Sequence, residues 1–120
     1  MPTVANFKLI PNGNPNIPLP AGGEDFVSEQ FPLPSLAQGP AFLLFRYRAT
    51  EGRPTLTVRV NNNVRVTLNL VANGEVNSCS FHETILPGQL NEPSNQIRAS
   101  ATGSGKVTIS DIMVLYPMAV

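Results

Sequence analysis

Apolar and polar residues alternate with a period of two along much of this chain, and no sustained stretch repeats apolar positions at the three- and four-residue spacing of a helix. Prolines interrupt most windows in which a helix could start. The clearest segment is Thr55 to Leu70. Leu56, Val58 and Val60 alternate with Thr55, Thr57 and Arg59, and then Val64, Val66, Leu68 and Leu70 alternate with Arg65, Thr67 and Asn69. Two half-buried strands follow from this, joined at Asn61-Asn62-Asn63, because asparagine tolerates the left-handed backbone of a tight hairpin. If Val60 pairs with Val64, then Val58 faces Val66 and Leu56 faces Leu68, so every apolar side chain falls on one face.

Ala41 to Arg48 is apolar on both parities at first, the pattern of a central strand covered on both faces, and ends in alternating arginines. Asn95 to Ala101 sets Ile97, Ala99 and Ala101 against Arg98 and Ser100, and Gly103-Ser104-Gly105 makes a turn. In Lys106 to Tyr116, Val107 and Ile109 lie on one parity and Ile112, Val114 and Tyr116 on the other, so a β-bulge is expected near Ser110-Asp111. Shorter strands are expected at Val4 to Ile10, Asp25 to Phe31 and Ser78 to Ile85, the last closed by Pro87-Gly88. The sum is an all-β chain, an antiparallel β-sandwich of jelly-roll type with about eight strands and little helix.

The 120 residues fit a single domain, 1–120, and the Pro- and Asn-rich stretch from Pro11 to Gly23 reads as a long loop between the first and second strands. Twelve Pro, nine Gly and twelve Asn fall mostly between the apolar runs, as turn punctuation does. Eight Lys+Arg balance eight Asp+Glu, so no basic field exists to hold a phosphate backbone, and nucleic-acid binding is not expected. The longest apolar run, Ala41 to Phe45, is far shorter than the ~20 residues of a membrane span.

One cysteine, Cys79, cannot make an internal disulfide, so the redox compartment stays open. The start lacks a basic segment followed by an apolar one, which predicts a cytoplasmic protein or one exported or assembled by a non-Sec route. Asn77-Ser78-Cys79 is only the rare form of a glycosylation sequon.

The C-terminal third carries a pattern. Ser80-Phe81-His82-Glu83-Thr84-Ile85-Leu86-Pro87-Gly88-Gln89-Leu90, Asn95-Gln96-Ile97-Arg98-Ala99 and Gly103-Ser104-Gly105-Lys106-Val107-Thr108-Ile109-Ser110-Asp111-Ile112 together resemble the tail of galactose-binding-like, carbohydrate-binding-module-like jelly-roll domains. That tail has an aromatic strand, a loop ending in L-x-x-G-x-N-x-I, a Gly-Ser turn and a closing V-x-I-S-D-I strand. Here Asn91-Glu92-Pro93-Ser94 stands where a glycine usually precedes the Asn, and Phe81 replaces the commoner tryptophan. Leu56 to Asn61, L-x-V-x-V-N, is consistent with the mid-domain hairpin of such domains. The resemblance implies a fold that serves sugar binding, protein docking and scaffolding alike.

Reactive chemistry is sparse. A hydrolytic triad needs a nucleophile, a base and an orienting group, and the only histidine, His82, is followed by a Glu83 that points to the other face of a strand. One Cys and one His fall short of a zinc site. Glu24-Asp25, after Gly22-Gly23, is an acidic pair that reads as a solvated turn, with a structural calcium as the alternative that the resemblance implies. Cys79, beside an apolar strand, reads as a small core residue. No catalytic residue, metal or cofactor is therefore expected, and the chain does not read as an enzyme.

Two functions remain. The first is a non-catalytic, lectin-like module that binds carbohydrate through loops at one end of the sandwich. Its expected residues are Tyr47 for a ring face, Asn62 for an amide that donates and accepts, Arg65 for a donor fork and Asp111 for a carboxylate beside the bulge. The second is a structural or docking subunit of a phage-tail, injection-apparatus or surface assembly. Near-zero net charge, few charges overall and many Asn and Pro loops favour a homo-oligomer or a larger protein assembly over repulsion between copies.

Overall fold

A computed structural model describes residues 3–10, 16–72 and 79–119. Nine strands form two antiparallel sheets, and no helix occurs among the described residues. Strands β1 (Thr3–Leu9), β2 (Ile17–Pro20), β4 (Ala41–Glu51), β7 (Cys79–Ile85) and β9 (Lys106–Ala119) make one sheet, with order β1-β9-β4-β7 and β2 also on β9. Strands β3 (Phe26–Val27), β5 (Pro54–Val60), β6 (Asn63–Asn69) and β8 (Ile97–Gly103) make the other, with order β3-β8-β5-β6. The antiparallel pairs nest, β5 with β6, β4 with β7, β3 with β8 and β2 with β9. This folded-over hairpin of strands is the jelly roll that the alternating pattern predicts.

The inward residues of both sheets form one contiguous core that includes Leu43, Phe45, Leu56, Val58, Ile97, Ile109, Ile112 and Val114. Leu68 is only half-buried against it, because β6 is the edge strand of its sheet. Cys79 is not the core residue expected of it. It begins the edge strand β7 and is exposed.

The parity conflict in β9 is resolved as expected. Leu44 pairs with Met113 and Arg46 with Ser110, so the single residue Phe45 on β4 is opposed by two residues on β9, Asp111 and Ile112. Asp111 supplies the left-handed backbone of this bulge, at φ 53°. Val107 and Ile109 before it, and Ile112 and Val114 after it, all face the core.

The β5–β6 hairpin departs from expectation beyond Val58. Asn61 and Asn62 both have positive φ, 49° and 70°, and make a two-residue turn, so Val60 pairs with Asn63 rather than Val64. A register shift then restores the Val58–Val66 and Leu56–Leu68 pairs. The shift turns Val64 out to solvent, 49% exposed.

The stretch 11–23 is not all loop. Residues 11–15 lie outside the described residues, but Ile17–Pro20 is strand β2, antiparallel to Lys106–Ile109, with Leu19 buried. Pro18 and Pro20 have no N–H to give, and this is tolerated because β2 pairs with only one neighbour. The strand expected from Asp25 to Phe31 is reduced to Phe26–Val27 and a lone bridge between Phe31 and Asn95.

The two outer faces of the sandwich differ. On the β5/β8 sheet, Thr55 lies beside Thr102 and Asn69, and Thr57 beside Ser100 and Thr67, which is a polar face. On the other sheet the outward rows are Phe7–Leu115–Phe42 and Leu9–Met113–Leu44. Phe7 is 60% exposed, and Leu9 and Phe42 are exposed with it.

Candidate functional site

Strands β4 and β8 begin, and β7 and β9 end, at one end of the sandwich, together with the β5–β6 turn. The loop 28–40 and the loop 86–96 enclose a cleft of about 390 Å³ there. Leu36, Leu86, Pro87 and Leu90 give it a C–H surface, and Gln38 adds an amide. Gly39 and Gly88 line it at φ 143° and 91°, conformations that other residues rarely take. Among the described residues, no titratable side chain lines this cleft.

Buried amides fix the loops around it. Asn95 is 1% exposed, and its Oδ1 accepts from Asn91 N at 2.7 Å and Asn61 Nδ2 at 2.9 Å. Its Nδ2 donates to Asn91 O at 2.6 Å and Phe31 O at 3.3 Å. Asn61 Nδ2 also donates to Gln89 O at 2.8 Å, and Asn61 Oδ1 accepts from Gln96 N at 2.8 Å. The β5–β6 turn, the 28–40 loop and the 86–96 loop are thus tied by bonds that are buried at Phe31 and part-buried elsewhere, centred on the buried Asn95 amide, where an unmade bond is costly. The Leu86 N–H donates to Gln89 Oε1 at 3.0 Å, which closes the Pro87-Gly88 turn.

The four residues expected at a ligand site do not converge. Asn62 lies in the turn at the cleft end and is exposed. Arg65 is half-buried and donates from Nε to Thr84 O at 3.0 Å, bridging the edge strands β6 and β7. Asp111 stands on the outer face of β9, 3.7 Å from Arg46, with both side chains more than half exposed. Tyr47 packs inward from β4, its ring centroid 6.1 Å from that of Phe45, opposite Cys79 on β7. Burial first, and then the charge of Cys79 and a hydrogen bond to it, raise the Tyr47 phenol above its ordinary value.

The other candidate groups have structural surroundings. His82 is exposed on β7 opposite Leu44. Glu83 lies on the other face of β7, and its Oε1 accepts from Thr84 N at 2.9 Å. The Asp25 carboxylate meets the Arg98 guanidinium at 3.4 Å. Tyr116 is buried, its hydroxyl donating to Pro34 O at 3.4 Å and accepting from Asn6 Nδ2 at 3.1 Å.

Sequence reasoning passed over the cleft residues because they appear as punctuation. Gln38-Gly39-Pro40 and Pro87-Gly88 are turn signals, and nothing local shows that two turns 48 positions apart in the chain face each other.

No protein-family model matches the sequence, and no curated protein is significantly similar to it. Among solved structures, the chain is similar to a family 35 carbohydrate binding module from Clostridium thermocellum, at 18% identity and a TM-score of 0.48, over 98% of this chain and 92% of that one. It is also similar to the carbohydrate binding module CBM6cm-2 of Cellvibrio mixtus lichenase 5A in complex with cellotriose, at 16% identity and a TM-score of 0.44, over 93% and 86%. Both are carbohydrate-binding modules.

Proposed function

We propose that this chain is a non-catalytic carbohydrate-binding β-sandwich module that takes its ligand in the cleft between the 28–40 and 86–96 loops. The observation that carries this reading is the cleft's construction. A sugar presents C–H faces and hydroxyls together, and the cleft sets a C–H surface of Leu36, Leu86, Pro87 and Leu90 beside the Gln38 amide. Its volume of about 390 Å³ lies in the roughly 300–1,000 Å³ range of small-molecule sites. The Asn61–Asn95 network supports the reading further, since loops held in place before binding lose less entropy on complex formation. The absence of a titratable group from the lining favours binding over catalysis. Asn62, in the turn bonded to the 86–96 loop, is the one of the four expected residues at this end.

A glycan array followed by NMR titration of the best ligand tests the proposal. Shifts of the Gln38, Gly39, Gly88 and Leu90 amides are expected. A blank array, or shifts confined to another surface, would overturn it.

A second reading, a docking or assembly subunit, is favoured by a different observation, the uncovered apolar face of the β4/β9 sheet.

A further inference from the structure

We infer that the outer face of the β1-β9-β4-β7 sheet is an interface that receives the same face of a second copy of this chain. Six large apolar side chains, Phe7, Leu9, Phe42, Leu44, Met113 and Leu115, stand on it in two adjacent rows across three strands. Phe7, Leu9 and Phe42 are 60%, 51% and 38% exposed. Scattered apolar residues are ordinary on a protein surface, but a contiguous block of this kind marks a surface that is covered in use.

The sequence pattern independently demands a cover. Strand β4 begins with residues apolar on both parities, the composition of a strand buried on both faces. The core covers only one of those faces, the one carrying Leu43 and Phe45. The opposite sheet has no such demand, since its outer face carries Thr55, Thr57, Thr67, Ser100 and Thr102.

Size and charge identify the occupant as a second copy. Four strands about 4.8 Å apart, crossed with Ala41 to Arg48 at about 3.3 Å per residue, give a face of roughly 500 Å² in projection. Side-chain relief raises its accessible area toward the ~800 Å² per partner of a standard interface. The rows carry no charged side chain until Arg46 and Asp111, which stand as an opposed pair 3.7 Å apart at the rim. Arg48, two residues beyond Arg46 on the same parity of β4, and His82, opposite Leu44 on the edge strand β7, also lie on this face, but the two apolar rows themselves carry no charge to oppose a copy, and a chain of net charge zero has no field holding copies apart. Apposing one face to itself closes as a two-fold dimer and leaves the loop-end cleft open in both copies.

Sedimentation velocity across a concentration series tests this, with Phe7→Glu and Phe42→Glu, singly and together, and Thr57→Glu on the polar outer face as control. The wild type and Thr57→Glu are expected to dimerise alike. Each Phe→Glu change should weaken the dimer at least about tenfold, since a charge is then buried against the partner's apolar rows. Circular dichroism and the thermal midpoint, expected to stay close to those of the wild type at these exposed positions, separate loss of the dimer from loss of the fold. If a Phe→Glu variant is less well folded, the milder Phe7→Ser carries the test. A wild type that is monomeric throughout would overturn the inference. So would a dimer that survives the double Phe→Glu change. Neither outcome bears on glycan binding in the cleft.

Discussion

Asn61 Nδ2 donates to Asn95 Oδ1 at 2.9 Å, and this bond joins the hairpin turn of one sheet to the loop that leads out of the other. Asn61 is suited to both of its tasks, since it accepts a φ of 49° and has an amide to offer. Asn95 is buried, and all of its amide capacity on the Oδ1 and Nδ2 sides is used. Asn95→Ala takes away the side-chain bonds of the Asn91 N–H and the Asn91 carbonyl, while the Phe31 carbonyl keeps the Asn95 backbone N–H, so it should cost at least about 2 kcal/mol by urea denaturation. Asn61→Gly keeps the turn and loses only the side-chain bonds, so a loss of about 1–2 kcal/mol is expected. In a double-mutant cycle the two should couple, by about 0.5–3 kcal/mol.

The core ranking follows from strand position. Leu56 is fully buried on a strand with neighbours on both sides, and Leu56→Ala should cost ~2–5 kcal/mol. Leu68→Ala, at the half-buried edge, should cost clearly less, and Thr67→Ala on the outer face should fall within about 0.5 kcal/mol of wild type. Equal losses at Leu56 and Leu68 in chemical denaturation would contradict the edge placement of β6.

Backbone geometry makes sharp predictions at two positions. At Asp111, φ 53° strains a β-branched residue, so Asp111→Val should destabilise by about 1–2 kcal/mol while Asp111→Gly does not. Arg46→Ala should be close to neutral in the same assay, because its ion pair with Asp111 is exposed on both sides. Gly105, at φ 87°, brings the β8–β9 turn against the β4–β5 turn, and a Cβ there would overlap the Glu51 carbonyl. Gly105→Ala should therefore lower stability by more than about 1 kcal/mol, with the thermal midpoint as readout.

These positions also show what a sequence makes legible. The bulge at Ser110-Asp111 was readable because apolar parity must switch if both halves of β9 are to face one core. The Asn61-Asn62 turn was readable from residue chemistry, but the register beyond Val58 was not, since the apolar pattern pairs Val60 with Val64 and gives no sign of the register shift that turns Val64 out to solvent. β2 was hidden by its prolines, which argue against a strand unless the strand lies at an edge, and edge position is a tertiary fact. The cleft depends on two distant loops meeting, and its binding residues carry no pattern of their own. Tyr47 and Asp111, both chosen for their chemistry, lie on opposite faces of their sheet because the bulge reverses the parity that would have related them.

Tyr47 gives the chain an alkaline dependence. Its phenol titrates above the ordinary 10.0 in the folded state, chiefly because burial disfavours the phenolate. The folded state thus holds this proton more tightly than the unfolded one. The stabilisation is fully present below pH ~10 and is lost as pH rises through the folded value. Absorbance titration should show a tyrosine ionising late, and Tyr47→Phe should flatten the fall in stability above pH ~10. Cys79→Ser should lower the Tyr47 value, since the thiolate charge and hydrogen bond are its lesser causes. A Tyr47 phenol that titrates at its ordinary value would contradict the inward packing of its ring.

The glycan-binding proposal ranks residues by their distance from the cleft end. Gln38→Ala removes the amide from the C–H surface, and Pro87→Gly removes part of that surface, so each should weaken the array-selected glycan by at least about 1 kcal/mol in calorimetry. Asn62→Ala should have a smaller effect of the same sign, because Asn62 stands in the turn bonded to the cleft loop through Asn61. Arg65→Ala and Asp111→Ala alter the β6–β7 bridge and the outer face of β9, and affinity should stay within about twofold of wild type. Tyr47→Phe, which keeps the packed ring, should also bind normally. If Asp111→Ala abolishes binding while Gln38→Ala leaves it intact, the sugar lies on the sheet face beside Arg46. The proposed dimer would then compete with the glycan for that face, and ligand should dissociate it in sedimentation.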